Sequence, residues 1–126
     1  MAFVVENGSG LATATSYIDT EFADGYFEDR NNPAWSQLNE DAKKAACILA
    51  TDYIDFRWGA AFKGERLFLG QALEFPRTGF VNVANQPIIP EVLKKATAEY
   101  AIRASSAPLA PDIEQDPSGF QVSRRM

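Results

Sequence analysis

Histidine is absent from this chain of 126 residues, and cysteine occurs once, as Cys47. Without histidine the chain lacks the commonest general base and the commonest zinc ligand, and it cannot build a Ser/His or Cys/His catalytic pair. A single cysteine forms no internal disulfide, and its position among alanines predicts a buried, unreactive thiol. Carboxylate and lysine chemistry stay open, but we expect a protein that is not an enzyme and that holds no cofactor or metal ion.

Long apolar runs are missing as well. No stretch approaches the roughly 20 apolar residues that span a bilayer, and the start of the chain lacks the basic residues of a signal peptide. We therefore expect a cytosolic protein with no membrane partner. Its length, with 46% hydrophobic and 23% charged residues, corresponds to one globular domain.

Basic residues are too few to balance the acidic ones, and the formal net charge is −5. Residues 1–63 carry ten acidic side chains against five basic ones. Affinity for duplex DNA rests on neutralised phosphates, so the overall field of this chain opposes such binding. Any contact with nucleic acid has to come from a local basic patch.

What the sequence does contain is helical periodicity, which predicts an all-α fold, a small antiparallel bundle of three main helices. The first helix covers about residues 21–30, the second 40–58 and the third 90–104. Asn39 is a good cap for the second helix and Gly59 its expected end. The predicted inward faces are Phe22, Ala23, Tyr26 and Phe27 on the first helix, Ala42, Ala45, Ala46, Leu49, Tyr53 and Phe56 on the second, and Val92, Leu93, Ala96, Tyr100 and Ala101 on the third.

The segments between these helices are predicted from weaker signals. Residues 3–14 favour a short β-hairpin around Asn7-Gly8, and residues 34–38 a single helical turn. The long connection from Gly59 to Ile89 carries seven large apolar side chains, so we expect it to be packed. Residues 1–111 then form a helical domain. Residues 112–126 form an extended C-terminal arm, which is either disordered alone or ordered by a partner.

Four basic residues and six aromatic ones alternate between Phe56 and Phe80. The basic residues are Arg57, Lys63, Arg66 and Arg77. Bases stack on aromatic rings while arginines hold phosphates, so this pattern is typical of single-strand binding. Two other interpretations remain: the rings belong to the core while the arginines are solvated or ion-paired, or the arginines lie at an interface between subunits.

Two further pairs of residues have simple structural interpretations. Asp52 and Asp55 lie three residues apart on the second helix, where capping or ion pairing with nearby Arg57 is a better explanation than an acid pair for catalysis. Trp35 and Trp58 are expected to anchor the helices against the loop.

A set of short motifs resembles one known family over about residues 4–112. The motifs are Ser16-Tyr17-Ile18, Ala23-Asp24-Gly25-Tyr26-Phe27, Ala34-Trp35, Ala50-Thr51-Asp52-Tyr53-Ile54-Asp55-x-Arg57, Phe62-x-Gly64, Gln71-Ala72-Leu73-x-Phe75-Pro76-Arg77, Ile89-Pro90 and Leu109-Ala110-Pro111. In this order they resemble the head-tail connector (adaptor or head-completion) proteins of tailed bacteriophages. Such proteins often carry the label DnaT-like single-stranded-DNA-binding protein.

This resemblance implies a structural protein in the neck of the virion, assembled in the host bacterial cytoplasm. It implies a homo-oligomeric ring, commonly of twelve copies, that binds the portal protein and a downstream tail or stopper protein while DNA passes through its lumen. The alternative is a single-stranded-DNA-binding protein of phage replication.

Within such a ring, oppositely charged residues of neighbouring copies are the expected contacts. The acidic face of the first helix would meet the basic loop, and the arm would contact the portal or remain a frayed terminus. The interface residues are then Asp24, Glu28, Asp29, Arg57, Lys63, Arg66, Arg77, Phe120, Arg124 and Arg125.

Overall fold

The helices lie close to their predicted positions in the computed structural model, which describes residues 1–109. Helix α1 spans Thr20–Asp29, α2 Pro33–Ser36, α3 Glu40–Trp58 and α4 Glu91–Ala104. A single 3-10 turn, Gly59–Ala61, continues α3. Over residues 1–109 there is no β-sheet, and three isolated bridges connect pairs of residues. The prediction of a small all-α domain is confirmed.

Local capping chemistry explains where the helices begin and end. The side chains of Asp19, Asn32 and Asn39 accept hydrogen bonds from first-turn backbone amides of α1, α2 and α3. Pro90, which has no amide hydrogen to leave unpaired, precedes α4, and Gly59 follows α3. None of the helices in this part of the chain has the length and apolarity that a membrane crossing requires.

The centre of the domain is the contact between α3 and α4, where small side chains bring the two helices close together. Ala46 and Ala50 of α3 and Ala98 and Ala101 of α4 are buried in one cluster. The rings of Phe27 from α1 and Trp35 from α2 complete this cluster. Cys47 is fully buried there, as its sequence context predicts. A second cluster, around Tyr17, Ile54, Leu73, Phe75 and Leu93, joins both helices to the long loop.

The predicted inward faces of α3 and α4 are partly wrong. Leu49 is 52% exposed, Phe56 83% and Val92 76%. Their places in the core are taken by the residues Cys47, Thr51, Ile54, Thr97 and Ala98. The buried threonines are satisfied locally, because Thr51 Oγ1 accepts from the Tyr17 amide and Thr97 Oγ1 donates to the Leu93 carbonyl. Small and hydrogen-bonded residues fit the tight helix contact better than large apolar ones.

The predicted N-terminal hairpin is also wrong, because a buried carboxylate organises the segment instead. Glu6 is 1% exposed, and its side chain accepts hydrogen bonds of 2.8 Å from the amides of Gly8, Gly10 and Leu11. The turn therefore wraps around the side chain, and the returning chain runs parallel to the first at Val5 and Ser16. Two amide partners on one oxygen and a third on the other satisfy the buried charge.

The loop between α3 and α4 is held by two buried polar side chains, Gln71 and Arg77, which agrees with the prediction of a packed segment. Gln71 donates to the carbonyls of Leu73 and Pro76 and accepts from the Phe68 amide. Phe75, which precedes a cis proline, packs edge to face against the rings of Phe62 and Phe80. Some predicted packing residues instead face solvent, notably Leu69.

Several sequence-based predictions lie outside the described residues. These are the arm over residues 112–126, the division between residues 111 and 112, and the interface residues Phe120, Arg124 and Arg125.

Candidate nucleic-acid interface

Three half-buried aromatic rings meet where the end of α3 lies against α4. The ring centroids of Tyr53, Trp58 and Tyr100 are between 5.2 and 5.8 Å apart, so each ring touches the other two. Tyr53 and Trp58 lie five residues apart on α3, and Tyr100 reaches them from the facing helix. We call these three residues the aromatic cluster.

Two arginines flank the aromatic cluster. The guanidinium carbon of Arg57 lies 5.4 Å from the centroid of Trp58, and that of Arg103 lies 5.3 Å from the centroid of Tyr100. Both distances are within the range of cation–π attraction. Both arginines are exposed, and in the described part of the chain neither forms an ion pair. They therefore keep donors available for an anion.

Beside the cluster lies an open cavity of about 510 Å³, which we call the Trp58 groove. Its lining residues are Ile54, Trp58, Ala61, Phe62, Lys63, Phe75, Phe80, Pro90, Val92, Leu93, Ala96 and Tyr100. Lys63 is the one charged residue among them. The groove thus combines apolar and aromatic walls with a single cation at its edge.

Three other cavities formed by residues 1–109 each include at least one acidic residue in their lining. The one beside α2 contains Asp24 and Glu28 with Lys43. The one at the N-terminal segment contains Glu6, Asp19, Glu21 and Glu91 with Lys94. A third, which lies on the outer side of α3, contains Asp52. Of these four cavities, the Trp58 groove is therefore the one whose lining favours an anionic ligand.

The four basic residues of the loop pattern have different environments. Arg77 is buried, and its nitrogens donate to the carbonyls of Lys63 and Gly64 and to the carboxylate of Glu74, 2.8 Å away. Arg66 donates to the Gln71 carbonyl. These two arginines stabilise the loop. For them, the interpretation in which the arginines are ion-paired or otherwise structural is the one that agrees with the structure. Arg57 and Lys63 are exposed at the Trp58 groove and its cluster.

The acidic residues of α1 do not come together with this basic surface in the monomer. Asp24 accepts from Lys43 Nζ at 2.9 Å and from the Trp35 indole at 2.8 Å. Glu28 and Asp29 are exposed on the same helix. Trp35 is buried among the helices and not against the loop. Trp58 is half-buried, packs against the cluster that includes the loop residues Leu73 and Phe75, and borders the groove.

Asp55 does not pair with Arg57, which corrects that part of the sequence analysis. Its carboxylate accepts from the Tyr17 hydroxyl at 2.7 Å and from the Glu74 amide at 3.1 Å. Burial, reinforced by the nearby carboxylates of Glu74 and Asp52, raises the pKa of Asp55 to about 6. Asp55 thereby links α3 to the N-terminal segment and the loop. Asp52 is exposed on the outer side of the helix.

The described residues offer no arrangement suited to a metal ion. Over residues 1–109, no three acidic or cysteine side chains converge closely enough to bind one. Burial raises the pKa of the Cys47 thiol to about 12, so the thiolate that would react or bind metal is disfavoured. The expectation that the chain is not an enzyme stays a prediction.

Tyr53, Tyr100 and Arg103 are site residues that the sequence-based predictions do not include, because helical periodicity places both tyrosines in the core. A usable signal was present. Tyr100 and Arg103 are three residues apart, so they lie on one face of α4. Tyr53 and Arg57 are related in the same way on α3, one turn apart.

The fold and this groove define a small helical domain that presents aromatic rings beside cations. The chain belongs to the family described as "Putative DnaT-like ssDNA binding protein", whose model matches residues 1–120. Comparison with curated proteins and with solved structures gave no match.

This family assignment corrects the main functional expectation. The label predicted from the motifs is confirmed, but the head-tail connector role is wrong, because the matching family is described by single-stranded DNA binding. The expected twelve-membered ring, the portal and stopper partners and the purely passive passage of DNA are wrong for the same reason. The alternative interpretation agrees with the family. The location in the virion neck is not tested by the match and stays a prediction.

Proposed function

We propose that this chain binds single-stranded DNA, and that the Trp58 groove and the aromatic cluster form the binding surface. The observation that carries the proposal is the pairing of accessible rings with Lys63, Arg57 and Arg103 in a protein that is otherwise acidic. The family description supports the same ligand.

The chemistry of the surface suits a single strand better than a duplex. An unpaired base exposes its flat face, which stacks on aromatic side chains whatever the base. The groove volume of about 510 Å³ falls within the roughly 300–1,000 Å³ of typical ligand pockets, so it accommodates a base. In a duplex the bases are stacked on each other and cannot enter. Lys63, Arg57 and Arg103 would then contact the phosphates on either side.

Tryptophan fluorescence offers a direct test. The protein has two tryptophans, and Trp35 is 1% exposed whereas Trp58 borders the groove. Titration with oligo(dT) should quench the emission of Trp58 as bases stack on it. In Trp58→Phe the quenching should disappear, while fluorescence anisotropy of labelled oligo(dT) still shows binding, because phenylalanine also stacks.

Charge-neutralising variants then locate the site by anisotropy. Lys63→Gln and Arg57→Gln should each weaken oligo(dT) binding several-fold, without loss of folding, because both side chains are exposed. The matched control is Arg30→Gln, which removes the same charge from the end of α1, where Arg30 lies 3.6 Å from the Tyr26 centroid. Equal loss in the control, or equal affinity for duplex DNA, would contradict the proposal.

A further inference from the structure

A second apolar cavity, which we call the Phe56 groove, lies on the outer side of α3. Leu49, Tyr53 and Phe56 of α3 line it, together with Ala104 of α4 and the two residues Pro108 and Leu109. Its volume is about 630 Å³. Leu49 and Phe56 are among the most exposed large apolar side chains in residues 1–109. A contiguous apolar patch of this kind on a soluble domain marks a contact site.

The spacing of these residues supports the same conclusion. Positions 49, 53 and 56 follow one another at helical steps of four and three residues, which is the pattern of a helix face that packs against another element. The periodicity predicts a buried face for that reason. Within the described residues, however, α4 packs mainly against a different face of α3. Leu49 and Phe56 are left exposed, while Tyr53 between them is half-buried against Tyr100.

The position of the next segment of chain identifies the occupant. The described part ends at Leu109, which itself lines the groove, so residues 110–126 begin beside it. These residues include the apolar side chains Ile113, Phe120 and Val122. The family match continues through residue 120, so most of this segment belongs to the same family unit as the helices.

Simple geometry permits the contact. The groove stripe from Leu49 to Phe56 is seven residues of helix, or about 10 Å long. The eleven steps from Leu109 to Phe120 span up to roughly 36 Å when extended, so Phe120 can reach any point of the stripe. Tethering also raises the effective concentration of the segment at the groove, which favours it over a separate molecule.

We propose that the segment of residues 110–126 docks into the Phe56 groove of its own chain, with Phe120 as the apolar anchor. The exposed carboxylate of Asp52 in the groove lining provides a counter-charge for Arg124 or Arg125. This inference does not rest on DNA binding, although the two surfaces share Tyr53, which lines the Phe56 groove and belongs to the aromatic cluster.

Paramagnetic relaxation enhancement in the full chain tests the proposal. In the Ser123→Cys variant, a thiol-specific spin label reacts selectively at residue 123. The other thiol, Cys47, is buried and has a raised pKa. The Leu49 methyl signals should lose at least half of their intensity relative to the reduced label. Phe56→Asp and Phe120→Ser should each restore the intensity. Val83→Asp, a matched change at a fully exposed position outside the groove, should leave the broadening unchanged.

A mixed sample distinguishes the source of the contact. Spin-labelled protein without isotope is combined with isotope-labelled protein without spin label, at the same total concentration. Docking within one chain predicts that Leu49 keeps its full intensity in this mixture. Broadening in the mixture would show that a second copy occupies the groove and would overturn the proposal. Absence of broadening in the original sample would overturn it as well.

Discussion

Polar side chains that are buried or half-buried connect segments of this domain that have little regular structure. Glu6 closes the N-terminal turn, Gln71 and Arg77 close the long loop, and Asp55 connects both regions to α3. In residues 1–109 no buried side-chain nitrogen or oxygen lacks a hydrogen-bond partner. Such networks rigidify a structure when every member is satisfied, and they make each member costly to remove.

Asp55 makes the stability of the domain depend on pH. Its pKa is raised to about 6 in the folded state, above the usual value for an aspartate. The folded state therefore binds this proton more tightly than the unfolded state, and folding becomes more favourable as the pH falls through 6. From pH 7 to pH 5 this carboxyl should add on the order of 1 kcal/mol to the free energy of unfolding.

Urea unfolding at pH 7, 6 and 5 measures this effect. Asp55→Asn should abolish the contribution of residue 55, because an amide does not titrate, although it replaces one accepting oxygen by a donor. The matched control is Asp41→Asn in the exposed first turn of the same helix, fourteen residues or about 21 Å along the helix from Asp55, which should keep the rise in stability. A wild-type protein without that rise, or a control that loses it, would show that another group is responsible.

At the scale of the helices, the packing of α4 depends on which of two neighbouring apolar residues faces α3. Leu93 is 7% exposed and Val92 is 76% exposed. Leu93→Ala should therefore lower the free energy of unfolding by about 2–5 kcal/mol, because it leaves a cavity in the second core cluster. Val92→Ala should change it by less than about 0.5 kcal/mol. Thermal unfolding of both variants checks this, and equal losses would mean that the helix is rotated from the orientation described.

The sequence predicts these helices well but assigns their faces only in part. Caps such as Asn39 and the break at Gly59 are local signals, and they fix where α3 begins and ends. Which face is buried depends on a partner that the periodicity of one helix does not identify. α3 carries two apolar stripes, and hydrophobic periodicity favours the one with the larger side chains, which includes Phe56. Tight packing against α4 selected the stripe of alanine, cysteine and threonine.

The loop and the site show the same limit. The pattern of arginines and aromatic residues between Phe56 and Phe80 contains two of the proposed DNA-binding cations, Arg57 and Lys63. It also contains Arg77, whose donors all serve the loop itself. Composition does not separate these roles, because both need a cation near aromatic rings. Tyr100 and Arg103 join the site only through the contact between α3 and α4, which lies beyond local sequence patterns.

At the scale of the whole molecule, the negative net charge is the main obstacle to DNA binding and limits its affinity. The net charge of −5 repels a polyanion, so the attractive field has to be confined to the surface around Trp58. α1 carries four acidic residues, of which Asp24 alone pairs with a lysine within residues 1–109. We therefore expect an affinity that is modest and that arises from stacking together with a few phosphate contacts, with base identity of little importance.

Salt dependence measures the number of those contacts. Three cations flank the proposed site, and each phosphate contact with a single strand contributes about −0.7 to the slope of log K against log salt concentration. The wild-type slope should therefore be about −2, which corresponds to a loss of roughly 20-fold in affinity between 50 and 200 mM salt. Lys63→Gln should reduce the magnitude of the slope by about 0.7, whereas Trp58→Ala should weaken binding at every salt concentration and leave the slope unchanged.

Anisotropy titrations with oligo(dT) at four salt concentrations separate these two effects. A slope that is insensitive to Lys63 but altered by Arg30→Gln would place the phosphate contacts at the end of α1 rather than at the Trp58 groove.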